Sequence, residues 1–494
     1  MARVTRRTFV GAAAALAVLP GSWAARAEGA VLVNDVHARL NPTRLRRVET
    51  PDSLARLEAA LAAARREGHA VSVAGGRHAM GGQQFVSGGV MIDMRGLDRV
   101  LGFDRDAGLL EVEAGIQWPA LIGQLVAAQE GERRQWGIAQ KQTGADRLTI
   151  GGALAANAHG RGLAMKPFVA DIESFTLLGA DGTLRTCSRT ENAELFRLAI
   201  GGYGLFGIVH SVRIRLAPRR KLERVVEVAA IDELMALFER RIADGFLYGD
   251  FQYDIDERSD GFLSRGVLSC YRPVDPATPI PQGQTELTPE DWTDLILLAH
   301  ADKARAFERY VGHYLATSGQ IYWSDTHQLS FYLDDYHVAL DQRLGAAHPA
   351  TEAITEIYVP RPRLAAFMRE AIGDFRHDGT QVVYGTVRLI ERDDESFLAW
   401  ATEPYACIIF NLHVAHTPGG QERAAAAFRR LIDRAIGHGG SFYLTYHRHA
   451  TRAAIEACYP QMPRFLRLKR AHDPDEVFQS DWYRHYRAMF ADRL

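Results

Sequence analysis

Apolar residues recur at helical spacing at Leu54, Leu57, Leu61 and Ala64, behind Pro51-Asp52-Ser53 and ahead of Gly68, which predicts an early helix. An apolar run at 70–74 then predicts a strand that breaks into a glycine-rich turn. Strands are expected at 90–94 and 109–115, and Trp118-Pro119 opens a helix with Leu121, Ile122, Leu125 and Val126 on one face. The runs 174–180 and 183–187, joined by Asp181-Gly182, read as a hairpin. Residues 208–216 alternate apolar and polar as a strand, and from Pro218-Arg219-Arg220-Lys221 onward strands interleave with amphipathic helices at 231–242, 302–316 and 421–435. The runs 382–391 and 405–416 read as paired strands. Asp473-Pro474 reads as the start of a last helix that places Phe478, Trp482 and Tyr486 on one face, docking back onto the first domain. Mixed elements without an internal repeat indicate an α+β chain.

Composition narrows this picture. The chain has 494 residues, 47% hydrophobic and 24% charged, with 19 prolines, enough apolar mass for two or three domains. Thr5-Arg6-Arg7-Thr8-Phe9, an apolar run over 10–19 and Ala25-Arg26-Ala27 form a twin-arginine export leader, residues 1–27. Its apolar run is too short to span a bilayer, so stable membrane insertion is not expected. The protein is expected to be periplasmic or secreted. Because that route moves folded proteins, the leader is also indirect evidence for a prosthetic group. The leader holds four arginines, so the remaining chain carries 54 basic and 60 acidic side chains, a balance that argues against nucleic acid as a partner. Cys187, Cys270, Cys407 and Cys458 are too scattered for a disulfide framework or a thiolate metal site; one disulfide or four buried thiols fit the spacing.

The chemistry concentrates in two small-residue segments. The run 71–82 places His78 between Gly75-Gly76 and Gly81-Gly82, and glycine lets backbone N–H groups approach an anion closely, so the turn can cradle a diphosphate. The run 144–160 is dominated by small residues from Gly151 to Ala158, whose backbone can press against a flat ligand. Together the two segments can clasp one elongated cofactor. The run Gly202-Tyr203-Gly204-Leu205-Phe206-Gly207 spells a dinucleotide fingerprint, but it leads into a strand and not a helix, so a Rossmann site is rejected. His447 with His449, and His413 with His416, lack a nearby carboxylate cluster, and no metal site is expected.

On these residues the chain resembles the FAD-linked oxidoreductases of the vanillyl-alcohol oxidase and p-cresol methylhydroxylase superfamily, nearest the alditol oxidase and aldonolactone oxidoreductase branch. The likeness runs over about 41–486 and is strongest over 51–218. It implies a split FAD-binding domain, with an N-terminal part at 28–218 and a C-terminal return at 441–494. Between them, 219–440 would form an α/β substrate cap with a mainly antiparallel sheet. In that family the glycine turn holds the diphosphate and its histidine is often bonded covalently to the flavin. The resemblance therefore assigns Gly75, Gly76, Arg77 and Ala79 to the diphosphate, with Ala74 and Gly82 flanking them, and His78 to the tether. Gly144, Thr149, Gly152, Asn157 and His159 would line the flavin along the second segment, and Ile208 would contact it through its backbone.

Two motifs depart from that branch. Thr386-Val387-Arg388 stands where a Glu-x-Arg pair is usual, and Tyr446-His447-Arg448-His449 stands where the branch has His-Trp-x-Lys. Oxidising a C–OH group needs a hydride acceptor, a base for the hydroxyl proton and a positive charge near the acceptor. Glu356, from Thr355-Glu356-Ile357-Tyr358, is a candidate base or orienting acid, Arg388 a fixed charge, and His447 or His449 a base. The stretch 322–337, rich in Trp, Tyr and His, has the composition of a pocket lining or of a packed aromatic cluster. The expected activity is oxidation of a small alcohol, polyol, sugar or lactone, with electrons passed to oxygen or a periplasmic acceptor. Small residues at Gly144 and Ala145 suit oxygen access. A flavin carrier that has lost turnover is the alternative.

Overall fold

Helix Leu54–Arg66 begins where the Ser53 hydroxyl accepts from the Arg56 N–H, and it buries Leu57, Leu61 and Ala64. In the computed structural model, which describes residues 30–330 and 335–494, this helix packs on a three-stranded parallel sheet. The strand order is Arg47–Glu49, Val90–Asp93, Val71–Ala74, so the strand that delivers the glycine turn lies at one edge. The export leader lies outside the described residues.

A five-stranded antiparallel sheet follows, in the order Leu184–Ser188, Ile172–Leu178, Ile208–Arg215, Leu109–Glu113, Val100–Asp104. The hairpin within it pairs Leu184 with Leu178, and Gly182 takes a φ of +81° at the turn. Helices Trp118–Ala128 and Ile150–Ala156 bury Leu121, Leu125, Ala153 and Leu154 in one cluster with Val112, Phe175 and Val212 of this sheet.

An eight-stranded sheet organises the rest. Its order is Ile321–Trp323, Lys221–Ala230, Arg265–Pro273, Tyr248–Tyr253, Val382–Ile390, Tyr405–Ala415, Ala350–Pro360, Ser441–Phe442, and each pairing is antiparallel. The expected pair 382–391 and 405–416 forms, with Arg388 opposite Cys407. Helices Ile231–Ala243, Leu364–Asp378 and Pro418–Gly437 share a core with Val387, Leu389, Ile408 and Phe410 of this sheet. The alternate residues, among them Tyr384, Arg388, Ile409 and Asn411, face a cavity. The chain is thus a mixed α and β protein with a mainly antiparallel second sheet. All four cysteines are free and buried. Among the described residues no helix is long and apolar enough to cross a membrane.

The C-terminal segment corrects one expectation. Asp473 does not start a helix; it ends the helix Met462–His472, and the last helix is Asp481–Met489, capped by Ser480. The reason lies in the Asp473 side chain, which accepts from the Val477 and Phe478 N–H groups and from Lys469 and so holds 473–478 in a turn. Phe478 is therefore extended and bridges Val71 in parallel, with Val71 N donating to Val477 O at 2.7 Å and Gln479 N donating to Val71 O at 2.9 Å. Trp482 and Tyr486 lie on the helix, fully buried, as expected. The segment docks onto the strand that carries the glycine turn.

Asp473 and Lys469 are both buried, with side chains 2% and 0% exposed. Asp473→Ala would leave a buried ammonium without its anion and two turn N–H groups without an acceptor. We expect a loss of about 3–5 kcal/mol in a urea titration, against less than about 0.5 kcal/mol for the exposed Asp98→Ala. Equal midpoints for the two variants would contradict this role.

Candidate active site

The turn after Val71–Ala74 is locked against the second small-residue segment. A Cβ on Gly75 would fall 2.0 Å from Thr149 Oγ1, and one on Gly76 would fall 2.1 Å from the Arg147 carbonyl oxygen, so neither position admits a side chain without displacement. Thr149 itself caps helix Ile150–Ala156, its hydroxyl accepting from Gly152 N at 3.1 Å. Arg77 adopts a φ of 59°, the left-handed region, which turns the chain sharply at the cradle. From the other side, Met80 N donates to Thr445 O at 3.1 Å and Gln83 Nε2 to Leu444 O at 2.8 Å. His78 is buried with Nδ1 2.8 Å from His37 Nε2; burial and the neighbouring imidazole depress its pKa well below the usual histidine value, so it is neutral at pH 7.

A cavity of about 990 Å³ starts at this turn and runs along the small residues of helix Ile150–Ala156 to the exposed face of the eight-stranded sheet. It is the size of a site for a cofactor with room for a small donor. Buried polar atoms without a hydrogen-bond partner among the described residues gather on its wall. At the cradle end they are Arg77 Nε, Gln84 Oε1 and Thr143 Oγ1; at the sheet end they are Arg161 Nε, His327 Nε2, Arg388 Nε and Asn411 Oδ1. Buried polar groups in folded proteins are almost always satisfied, so this concentration marks where polar ligands bind. A close backbone turn, a smooth small-residue wall and polar atoms at both ends fit an elongated flavin dinucleotide.

Between the two ends sits a closed hydrogen-bonded group centred on Glu356. Its Oε1 accepts from His159 Nε2, from Tyr358 OH at 2.8 Å and from Cys407 Sγ at 3.0 Å; its Oε2 accepts from Tyr446 OH at 3.1 Å. Burial alone would raise the Glu356 pKa, but the His159 charge and these donors outweigh it and hold it at about 2. His159 Nδ1 also faces a carbonyl, Gly160 O at 3.0 Å, so both ring nitrogens point at oxygen atoms that can accept. Only His159 and Tyr446 of this group reach the cavity; Glu356 lies behind them.

The remaining expected site residues divide in the same way. Ala74, Gly75, Gly76, Arg77, His78, Ala79, Gly144, Thr149, Gly152, His159 and Arg388 line the cavity. Gly82, Asn157 and Ile208 do not. Gly82 packs under the C-terminal helix, Asn157 bonds Asp393 Oδ2 at 2.8 Å and Val169 N at 2.9 Å, and Ile208 is buried at the start of its strand. His447 and His449 also stand off the cavity, stacked with Phe428; His447 Nε2 lies 3.1 Å from Thr355 Oγ1, and burial lowers both pKa values, that of His449 to about 4. From the aromatic stretch, Tyr322, Trp323, Thr326, His327 and Gln328 line the cavity, while residues 331–334 lie outside the described ones. His413 and His416 go to different partners, Glu352 and Thr351. The residues that sequence reasoning missed are Tyr446, Arg161, Arg224, Asp250, Gln252 and Asn411. Arg224, Asp250, Gln252 and Asn411 are polar side chains within strands, which is their one signal, whereas Arg161 and Tyr446 lie outside the strands and carry none.

An FAD binding domain family matches residues 45–188. Over 436 residues, 88% of this chain and 94% of the relative, the sequence is 26% identical to L-gulono-1,4-lactone dehydrogenase of Mycobacterium tuberculosis. It is 29% identical over 186 residues to L-gulonolactone oxidase of Bos taurus, covering 37% of this chain and 40% of that one. It is 22% identical over 468 residues to decaprenylphosphoryl-beta-D-ribose oxidase of Mycolicibacterium smegmatis, covering 90% of this chain and 95% of the relative.

Gly75→Ala is expected to yield protein with little or no bound flavin, whereas Gly123→Ala, where a Cβ meets nothing within 4 Å, keeps the parent absorbance at 450 nm. Normal flavin content in the first variant would contradict the interlock. The Glu356 carboxyl ionises near 2 in the folded chain against an ordinary 4.5, so its contribution to stability is present above about pH 4.5 and is lost as pH falls toward 2. Thermal midpoints measured from pH 6 to pH 2.5 should fall less steeply for Glu356→Gln than for the parent; parallel curves would contradict the assignment.

Proposed function

Because the chain belongs to the vanillyl-alcohol oxidase and p-cresol methylhydroxylase superfamily of FAD-linked oxidoreductases, we propose that it oxidises a CH–OH group of a small alcohol, polyol, sugar or lactone. The observation that carries this reading is one continuous cavity joining the glycine cradle to a polar sheet face, with the His159, Glu356 and Tyr446 group between them. Bound FAD supplies the acceptor for the two electrons and the hydrogen leaving carbon. The chain's own residues do the rest. Arg77 and the backbone of 75–79 would hold the diphosphate, and Arg388 would supply a fixed positive charge on the cavity wall. Tyr446 reaches the cavity with its hydroxyl donating to Glu356 Oε2, so its oxygen can accept a hydrogen bond from the donor hydroxyl and orient it; His159 holds the Glu356 carboxylate in place behind it.

His78 is the flavin tether in this reading, a neutral imidazole at the cradle positioned by His37. Electrons leave to oxygen or to a periplasmic acceptor, and the leader at 1–27 sends the folded, loaded protein across the membrane. The division into 28–218, 219–440 and 441–494, with the last segment completing a split FAD-binding domain, belongs to the same proposal. The Val71 to Phe478 bridge and the Met80 to Thr445 bond support it.

Acid precipitation of purified protein tests the tether: a yellow pellet is expected from the parent, and a colourless one with lower activity from His78→Ala. A colourless parent pellet with free FAD in the supernatant would remove the covalent bond from the account. Anaerobic mixing with a panel of alcohols, polyols, sugars, lactones and aldehydes tests turnover. Bleaching at 450 nm by a CH–OH donor is expected; no bleaching by any donor would favour a flavin carrier.

A further inference from the structure

The sheet end of the cavity holds more buried positive charge than the reaction above requires. Arg388 is 3% exposed and, among the described residues, forms no ion pair; its Nη1 donates to Gln142 Oε1 at 3.5 Å. Arg161, with a side chain 11% exposed, faces Asp250 at 3.7 Å and donates to His327 O at 2.8 Å. Arg224 donates to Tyr271 OH and Thr317 Oγ1, both at 2.9 Å, and among the described residues forms no ion pair with an acid. Arg161 and Arg224 both lie over the Tyr271 ring, at 4.7 and 5.2 Å, so the two guanidiniums flank one aromatic side chain. Against these three cations the cavity wall offers, among the described residues, Asp250 and, at the exposed rim, Glu286.

Such a grouping is costly unless something compensates it. A buried N–H without an acceptor loses the hydrogen bond that water would give it, and among the described residues the Nε atoms of Arg161 and Arg388 both lack acceptors. Tyrosine faces offset part of the charge on Arg161 and Arg224 but accept no hydrogen bond from Arg161 Nε. His327 beside them is kept neutral by burial and by the two arginines, so its unpartnered Nε2 adds a further polar contact. A planar oxyanion matches the guanidinium fork in shape, charge and donor count.

We propose that the donor oxidised here is an anion, a polyhydroxylated molecule whose carboxylate or phosphate is held by Arg161 and Arg224 while its CH–OH group lies toward Arg388 and Tyr446. This rests on the reading of the cavity as an oxidation site with its flavin at the cradle. Asp250, fixed on the strand between those of Arg388 and Tyr271, turns Arg161 toward the cavity and is a positioning residue. The tyrosine-lined end, with Tyr314 and Tyr322 over Arg224 at 5.2 and 4.7 Å, would exclude water from the ion pair and strengthen it.

Calorimetric titration of the flavin-loaded protein with D-gluconate, D-glucose 6-phosphate and neutral D-glucitol tests this without requiring turnover. At least one anion should bind 10-fold or more tightly than D-glucitol and weaken as salt rises, and the arm that does so separates carboxylate from phosphate. Arg224→Met and Arg161→Met should abolish that preference at unchanged flavin content, and Arg224→Lys, which keeps charge but loses the fork, should retain part of it. Equal affinity for all three probes, or a preference that survives both methionine variants, would overturn the proposal. Anion binding that depends on Arg224 while no donor bleaches the flavin would uphold the subsite and defeat the oxidase reading. Bleaching by neutral polyols with no anion binding would do the reverse.

Discussion

The arrangement depends on the absence of two side chains. With nothing beyond Cα at Gly75 and Gly76, the turn after the edge strand closes directly onto Thr149 and the Arg147 carbonyl, at separations no Cβ tolerates. That contact joins the parallel sheet to the helix that begins at Ile150, and the helix lies on the five-stranded sheet. Because the C-terminal segment then pairs with Val71 and with Met80, the turn is gripped by three parts of the chain far apart in sequence. A rigid cradle follows from that grip, and rigidity is what positions one end of a long cofactor relative to a donor held by another sheet.

The opposing sheet contributes chemistry through register. Glu356, Ile409 and Thr386 stand level across three neighbouring strands. The acid that the aldonolactone branch would carry at position 386 is absent, yet an acid occupies the same row two strands away. It is not offered to the cavity directly. His159 from the first half of the chain and Tyr446 from its last segment close over it, so this hydrogen-bonded group exists only once all three regions have assembled. The cost of burying Glu356 is offset by four donors, which is why its carboxylate persists in an apolar interior.

Local features were legible in the sequence wherever the cause is local. Ser53 and its helix, the Asp181-Gly182 hairpin, the strand after the false dinucleotide fingerprint and the glycine turn with His78 all stand where short-range geometry puts them. What failed to read through depends on contacts across the chain. Asp473-Pro474 has the composition of a helix start, but the Asp473 carboxylate is committed to Lys469 and to a turn, and Phe478 is drawn into pairing with Val71. His447 and His449 carry the residue type of a base, and nothing near them in sequence says that Phe428 covers their rings. Glu356 was visible as an acid on a strand; its partner His159 is 197 residues away, and only the fold reveals that Tyr446 also donates to it.

The central claim is that one cavity, opened by the Gly75 and Thr149 contact, holds FAD at the cradle and leaves its ring facing the Tyr446 and Arg388 side of the eight-stranded sheet. A crystal structure of the flavin-loaded protein measures this directly. The account predicts the diphosphate against the backbone of residues 75–79 and the ring within reach of His78, Tyr446 and Arg388. A flavin bound elsewhere, or one whose ring is separated from the polar face of that sheet by packed side chains, would contradict it.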